Sequence, residues 1–534
     1  MDSRMTRYKV FNAATGVVLA FAAVSTALAA DDGFKPIFDG KTLNGWEGDP
    51  AIWRVEDGAI TGQTTADTNL KKNTFLIWRQ GEVDDFELTL EYKIIGGNSG
   101  IQYRSFEVPQ NGKWAIGGYQ ADFEAGDTYS GILYGEHYRG ILAQRGQKTV
   151  IGDDHKPKVV GEIGDGKELG QRIKKEDWNT YRIVARGFRF THEINGQLMC
   201  EVTDEDKAER RRSGLLALQV HVGPPMKVQF RNIRLKRLPM EDTKKIVMVA
   251  GKASHGYMSH EHYAGCKLLA DLLNAHVKGV YATVYRNGWP QDPTAFDNAD
   301  AIVMYCDGGQ GHMVNPHLKE VDALAKKGVG IACLHYGVEV PKGEPGNYLL
   351  DWIGGYFETH WSVNPHWTAE FKQLPEHPIT RGVRPFAIYD EWYYHMRFRE
   401  NMEGVTPILS ALAPKETLSR PDGPHSGNPH VRAAVAAGQP QHVAWAAERK
   451  DGGRGFGFTG GHFHSEWAHN DFRKLVLNAI VWIAKGEIPQ EGIVTPTPSI
   501  EDLKKNQDEP VPDNFDFDAI RKDIEKWNRR PAAS

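Results

Sequence analysis

The rhythm of apolar and polar positions changes once along this chain. From Phe34 to about Leu238 the period is two. In "FELTLEYKI", Phe86, Leu88, Leu90, Tyr92 and Ile94 fall on one face and charged or polar residues on the other, the pattern of a half-buried antiparallel strand. "RFTHEINGQLMCEV" reads as two alternating runs joined at Asn195-Gly196. Both residues tolerate the left-handed backbone that a type I′ turn requires, so a hairpin is predicted there. "MKVQFRNIRLKRL" is a further strand, with a bulge expected near Asn232. No long helical pattern interrupts this part, which predicts an all-β sandwich or barrel over residues 34–238.

After Leu238 strands and helices alternate. "KKIVMVAG" is a short apolar strand and "YAGCKLLADLLNAH" has helical spacing. "ADAIVMYCDGG" is a buried strand, "PHLKEVDALAKKG" a helix stopped by glycine, and "VGIACLHYG" a strand again. "DFRKLVLNAIVWIAKG" is an amphipathic helix ending at Gly486. This alternation predicts an α/β layer structure with a mostly parallel sheet over 244–486. Ligands in such sheets bind beyond the carboxyl ends of the strands. The proline-rich, charged stretch 487–534 is expected to wrap the surface, with one short helix near "FDAIRKDIEKW".

A chain of 534 residues with 40% hydrophobic and 25% charged residues fits a two-domain globular protein. The net charge of −5 argues against nucleic acid or an anionic membrane as the main partner. Arg4, Arg7 and Lys9, a short apolar run from Ala13 to Ala23 and the small residues of "TALAA" form a secretory signal pattern, with cleavage expected after Ala29. Export to the periplasm or medium is the expectation, with no integral membrane association. The four cysteines, Cys200, Cys266, Cys306 and Cys333, share no CxxC spacing and read as buried free thiols.

Histidine is unevenly placed. Only His137, His155, His192 and His221 precede the change of rhythm; the other 17 of 21 follow it. "AGKASHGYMSH" puts His255 and His260 after the first α/β strand, and "CLHYG" puts His335 at a strand end. "YDEWYYH" carries Asp390, Glu391 and His395, and "GGHFHSEW" carries His462, His464 and Glu466. If the sheet is parallel these loops share one rim, and imidazoles gathered there suit acid–base or metal chemistry. No HxxxH or HExxH spacing fixes ligands on a helix, so a divalent metal ion is a candidate cofactor that spacing alone does not assign. "CLHYG" has the frame of a nucleophile elbow with histidine where serine or cysteine would sit. That excludes a cysteine amidotransferase.

"GIACLHYG", "HPIT", "YDEW" and "GGHFHSEWAHNDFRKLVLNAIVWIAKG" resemble the ThuA-like (trehalose utilisation) family. The resemblance implies a class I glutamine amidotransferase-like, flavodoxin-like fold without the Cys-His-Glu triad, associated with disaccharide use. In the first half, "FKPIFDGKTLNGWEG", "WRVEDGAITG", "FELTLEYKIIGGNSGIQYRS", "GYQADF" and "GLLALQVHVGPPMKVQFRNIRLK" resemble the 3-keto-disaccharide hydrolase domain family. That resemblance implies a concanavalin/lectin-like jelly roll acting on glycosides already oxidised at carbon 3. An upstream sugar 3-dehydrogenase would supply them.

A C3 ketone acidifies the C2 proton. A base can then leave an enolate, and the C1 aglycone departs by elimination before water adds. Such a site needs a base, enolate stabilisation and an acid for the leaving group. "LQVHVG" places Gln219 and His221 on one face. "GYQADFE" places Tyr119, Ala121 and Phe123 on one face and Gln120, Asp122 and Glu124 on the other. "GGNSGIQYRS" brings Asn98 after a glycine turn, with Gln102 and Arg104 expected on one face. His221 or Asp122 is the expected base, and Arg104 or a divalent cation the enolate stabiliser. Asn98, Gln102, Tyr119, Gln120, Glu124 and Gln219 are expected to contact sugar. His335, Glu391 and His462 are the candidate catalytic groups of the second half, with His255 and His260 expected to bind substrate beside them. Two readings stay open against this one: a jelly roll that only binds carbohydrate, and catalysis confined to the α/β half.

Overall fold

The alternating segment folds as two stacked sheets. The structure, a computed structural model, describes residues 32–68 and 70–529; the expected signal peptide, 1–29, lies outside them. The strands that matter below are β1 (Thr74–Val83), β2 (Phe86–Ile95), β3 (Asn98–Glu107), β4 (Ile116–Glu124) and β5 (Leu133–Glu136). They are followed by β6 (Asn179–Arg186), β7 (Arg189–Ile194), β8 (Gln197–Asp204), β9 (Gly214–Val220) and β10 (Met226–Arg237). A seven-stranded sheet runs Gly140–Ala143, β5, β4, β3, β9, β1, Trp46–Glu47. The second, ten-stranded sheet is built around β8, β7, β6, β2 and β10. Leu88, Leu90 and Tyr92 of β2 meet Tyr119, Ala121 and Phe123 of β4 in the core between the sheets. This half is a jelly-roll sandwich.

Local chemistry sets the irregularities. Asn195 (φ +52°) and Gly196 (φ +77°) close the β7–β8 hairpin in the left-handed region. The register of β10 against β2 shifts between Arg231 and Arg234, around Asn232 at φ +53°. A second bulge lies in β3, where the pairing with β4 shifts between Tyr103 and Phe106 and Arg104 sits at φ +46°.

The second half contains β11 (Lys244–Ala250), α1 (His262–His276), β12 (Val280–Tyr285), β13 (Ala301–Tyr305), α2 (Leu318–Lys326), β14 (Gly330–Leu334) and α3 (Glu344–Ile353). It continues with β15 (Val405–Ala411), β16 (Gln441–Glu448), β17 (Arg454–Phe458) and α4 (Asn470–Ile483). The sheet order is β12, β11, β13, β14, β17, β16, β15. The first five strands are parallel and the last two pair antiparallel. Ile246, Met248 and Ala250 of β11 pack with α1 and α4 on one face, while Val247 and Val249 pack with α2 and α3 on the other. Burial on both faces explains the unbroken apolar run. The fold is flavodoxin-like α/β.

The two halves meet at a buried ion network. Arg237, at the end of β10, bonds Asp292 at 2.7 Å and Asp84 at 3.1 Å, and Lys245 of β11 bonds Asp84 at 2.6 Å. Burial would raise the Asp84 carboxyl, but Lys245 and Arg237 outweigh it and hold it far below the usual carboxylate range. The C-terminal stretch returns to the α/β half. Ile500 and Leu503 pack on Tyr257 and Met258, the Asp508 N–H donates to Glu261 at 2.9 Å, and a last helix, α5 (Phe517–Asn528), closes the described chain. All four cysteines are free and buried. Among the described residues no helix is long and apolar enough to cross a membrane.

Candidate functional site

Strict alternation along β4 and β9 gives the seven-stranded sheet a polar outer face. Gln120 and Asp122 turn away from the core, as do Gln219 and His221. Gln102 Nε2 donates to Gln120 Oε1 at 2.6 Å, and Ser105 Oγ donates to Gln102 Oε1 at 2.8 Å. Gln219 Nε2 donates to Glu136 at 3.4 Å, and Glu136 in turn accepts from Asn73 at 2.9 Å. The Asn73 Oδ1 receives the Val222 N–H at 3.0 Å, so the loop after β9 is tied across this face. His221 is half-buried and its Nδ1–H donates to the Val222 carbonyl at 2.5 Å.

Two acceptors on this face have no partner: Asp122 Oδ1 and Gln219 Oε1, both buried. Asp122 is 6% exposed. Burial pushes its carboxyl up to about 8, with Glu124 and Glu136 adding to the rise; hydrogen bonds from Asn98 and the Phe123 N–H oppose it. Its cross-strand partner is Gly100, so the one side chain of β3 that meets the carboxyl is Asn98. A buried acceptor without a donor is costly. Sugar hydroxyls are donors of the right kind.

Three expected contacts are corrected. Arg104 does not share a face with Gln102. The β3 bulge turns its guanidinium inward, fully buried, where it bonds Asp85 at 2.9 Å and donates to the Asp84, Gly187 and Arg211 carbonyls. Four of its five N–H donors are engaged in joining loops, and full burial on the core side keeps the guanidinium from an enolate on the outer face. Tyr119 lies in the core and donates to Asp204 at 2.5 Å, so it cannot reach a sugar on the outer face. Glu124 Oε1 accepts the Thr128 and Tyr129 N–H groups at 2.6 and 2.9 Å, which closes the turn after β4. It borders a separate cavity of about 660 Å³ with Tyr92, Arg145 and Lys174.

A second centre forms where the parallel strands end. The loop after β11 carries His260, β13 is followed by Asp307, His335 follows β14 directly, and His462 follows β17. These strands are sheet neighbours, so the loops converge at the carboxyl edge. His260 Nε2 lies 3.0 Å from His335 Nε2 and 3.0 Å from His462 Nδ1. Glu391, from the end of strand Phe386–Asp390, brings Oε2 to 3.2 Å from His462 and 3.6 Å from His335. His255 stacks on His260, with ring centres 3.6 Å apart.

Outer partners orient these groups. His335 Nδ1–H donates to the Thr459 carbonyl at 2.9 Å, and His260 Nδ1–H donates to Asp307 at 3.0 Å. Asn364 holds the other oxygen of Glu391 at 3.0 Å, and buried Asp390 accepts the Gly461 N–H at 2.6 Å, steadying the loop that carries His462. Burial and the neighbouring imidazoles hold His335 well below its ordinary value; burial also lowers His260 to about 4, against the pull of Asp307. Both rings are therefore neutral near pH 7. His335 and His260 sit at φ +51° and +50°, a strain of about 1–3 kcal/mol each that surrounding contacts must hold. His464 and Glu466 are also buried.

Four donor atoms, from His260, His335, His462 and Glu391, lie within 4.8 Å of one another and could hold a metal ion. Asp307, Asn364 and Tyr393, whose hydroxyl lies 3.3 Å from both His335 Nε2 and Glu391 Oε2, were not singled out by the sequence, nor were Asn73 and Glu136 on the sandwich. Asp307 alone had a signal, as the first polar residue after the strand "AIVMYC".

Residues 33–236 match the family model of the 3-keto-alpha-glucoside-1,2-lyase-like domain, and residues 246–483 match that of the trehalose utilisation family. The chain joins a domain of each family. Over 90 residues it is 40% identical to the 3-keto-disaccharide hydrolase of Bacteroides thetaiotaomicron, covering 15% of this chain and 31% of that protein. The match thus spans less than a third of the curated relative. A ThuA-like protein from Parabacteroides merdae is 12% identical over 49% of this chain and 99% of its own, with a TM-score of 0.33. A carbohydrate-binding module from Bacillus subtilis is 16% identical over 36% of this chain and 95% of its own, with a TM-score of 0.24. The histidine centre belongs to the trehalose-utilisation domain and the polar face to the lyase-like domain. A cavity of about 1010 Å³ lies between the domains, lined by Glu82 and Leu215 on one side and Tyr263 and Trp289 on the other, and touches neither centre.

Proposed function

We propose that the lyase-like domain cleaves 3-keto-glycosides at the outer face of its seven-stranded sheet. The observation that carries this reading is Asp122: a buried carboxyl raised to about 8, with one oxygen unpartnered on the polar face. Ionised, it is a base strong enough to take the C2 proton of a 3-keto sugar. The electron pair of that C–H bond moves into the enolate at C2, C3 and the C3 oxygen. As the carbonyl re-forms, the C1–O bond breaks and the aglycone leaves with a proton from a general acid, the role we assign to His221. Water then adds at C1 and a proton returns to C2, so the net change is hydrolysis. Gln219 and the Gln102–Gln120 pair orient the sugar hydroxyls.

The match of residues 33–236 to the lyase-like family supports this substrate class. The expected leader places the reaction outside the cytoplasm, and a sugar 3-dehydrogenase upstream makes the ketone. The reading is tested by incubating the purified chain with 3-keto-trehalose or a 3-keto-glucoside and following free sugar. Turnover that Asp122→Asn abolishes supports it. Binding without turnover in the parent chain marks the domain as a carbohydrate-binding module instead.

A further inference from the structure

The histidine centre holds an unresolved contact. His335 Nδ1 faces a carbonyl oxygen and His260 Nδ1 faces a carboxylate, and both of those atoms only accept, so each Nδ1 carries its ring's proton. Each Nε2 is then a lone pair. The two lone pairs point at each other across 3.0 Å, in a fully buried position. The nearest hydroxyl is that of Tyr393, 3.3 Å from His335 Nε2 and 3.3 Å from Glu391 Oε2. His462 Nδ1 and Glu391 Oε2 close on the same point. Two of the residues that bring the atoms there, His335 and His260, hold left-handed backbone. A cation at the common point would give all four atoms one shared partner.

The spacing suits one small ion. Donors about 2.1 Å from a metal stand about 3.0 Å apart when cis in an octahedron and about 3.4 Å apart in a tetrahedron. The observed separations are 3.0, 3.0, 3.2 and 3.6 Å. Three imidazoles with one carboxylate favour borderline first-row ions over calcium or magnesium. The second shell is already in place: Asp307 and the Thr459 carbonyl fix two tautomers, and Asn364 fixes the carboxylate. On the outer side stand His366, Phe463 and Tyr389; Tyr389 is 54% exposed, with its ring 6.1 Å from His366 and 6.4 Å from Phe463.

We propose that His260, His335, His462 and Glu391 of the trehalose-utilisation domain bind one divalent first-row transition-metal ion, and that its open positions take two adjacent oxygens of a sugar. A vicinal diol or an α-hydroxy ketone can chelate in this way while its C–H face lies on Tyr389 and Phe463. The site is separate from Asp122 and stands or falls independently of it.

The test loads the full chain with Mn²⁺, Fe²⁺, Co²⁺, Ni²⁺ or Zn²⁺ after chelation and measures retained metal by elemental analysis. About one ion per chain is expected, and Glu391→Gln and His462→Ala should each weaken retention by at least the roughly 10- to 100-fold that outer-shell changes cost. Asp122→Asn should keep the ion. Retention of none of the five ions overturns the proposal, as does equal retention in folded Glu391→Gln and His462→Ala. X-ray absorption on the loaded parent chain needs no variant: imidazole scattering is expected, and its absence also overturns the proposal. For the sugar, water-proton relaxivity of the Mn²⁺-loaded chain should fall on adding millimolar methyl 3-keto-glucoside. Unchanged relaxivity removes the sugar from the proposal.

Discussion

Asp122 stands directly across the β3–β4 ladder from Gly100, and the room left by the missing side chain is taken by Gln120, the residue two before Asp122 on the same face. A methyl group at Gly100 would come within 2.4 Å of Gln120 Cδ. Gly100→Ala is therefore expected to push Gln120 off Gln102 and crowd the sugar. A fall in kcat/KM of about tenfold or more is expected, with little change in Tm, because the displaced group is a flexible side chain rather than backbone. Steady-state kinetics beside a melting curve checks this.

Asp122 also makes a signed prediction about pH. Below about pH 4 both folded and unfolded chains hold its proton. Between about 4 and 8 only the folded chain does, so its contribution to stability falls as pH rises through that window and levels off above it. The full swing is of order several kcal/mol. Asp122→Asn should remove this slope, and the variant should gain on the parent in denaturant unfolding as pH rises from 5 to 8. The parent's kcat/KM should climb over the same range, since only the ionised carboxylate is a base.

Asp84 is shared by Arg237 and Lys245 at the junction of the domains. Asp84→Ala leaves two buried cations without their common partner. The expected loss is about 3–5 kcal/mol, seen as an apparent Tm lower by roughly 5–15 °C. Replacing exposed Lys35, whose partner Asp297 is also solvent-accessible, should cost at most about 1 kcal/mol. Differential scanning calorimetry on the two variants separates these outcomes.

Arg104 is assigned to structure, and its replacement should behave accordingly. Arg104→Gln is expected to lower the yield of folded protein and its Tm, while the folded fraction keeps KM within about twofold of the parent. A large loss of kcat with unchanged Tm would return Arg104 to the reaction.

Much of this architecture is readable from pattern. Period two in "FELTLEYKI", the Asn195-Gly196 turn and the apolar run of β11 each follow from which face is buried. The faces of β4 were also legible: Tyr119 and Asp122 point opposite ways because nothing breaks alternation between them. Arg104 was misread because the bulge that reverses it comes from pairing with a neighbouring strand, which a single strand's pattern does not record. Glu124 was misread because its role depends on a turn that returns two backbone N–H groups to it. The histidines of the second half were visible as strand-end residues, but their meeting depends on strand order. His260 and His462 are 202 positions apart and touch because β11, β13, β14 and β17 are neighbours. Asn73 and Glu136 carried no local signal, since each acquires its role from a partner on a distant loop.

The proton at C2 is the most direct witness to the chemistry. A 3-keto-glucoside cleaved by the chain in D₂O and examined by proton NMR should yield a product carrying deuterium at C2, at a rate that Asp122→Asn cuts by roughly 10²-fold or more. Cleavage that keeps the original C2 proton, or deuterium uptake that Asp122→Asn leaves unchanged, would contradict the account.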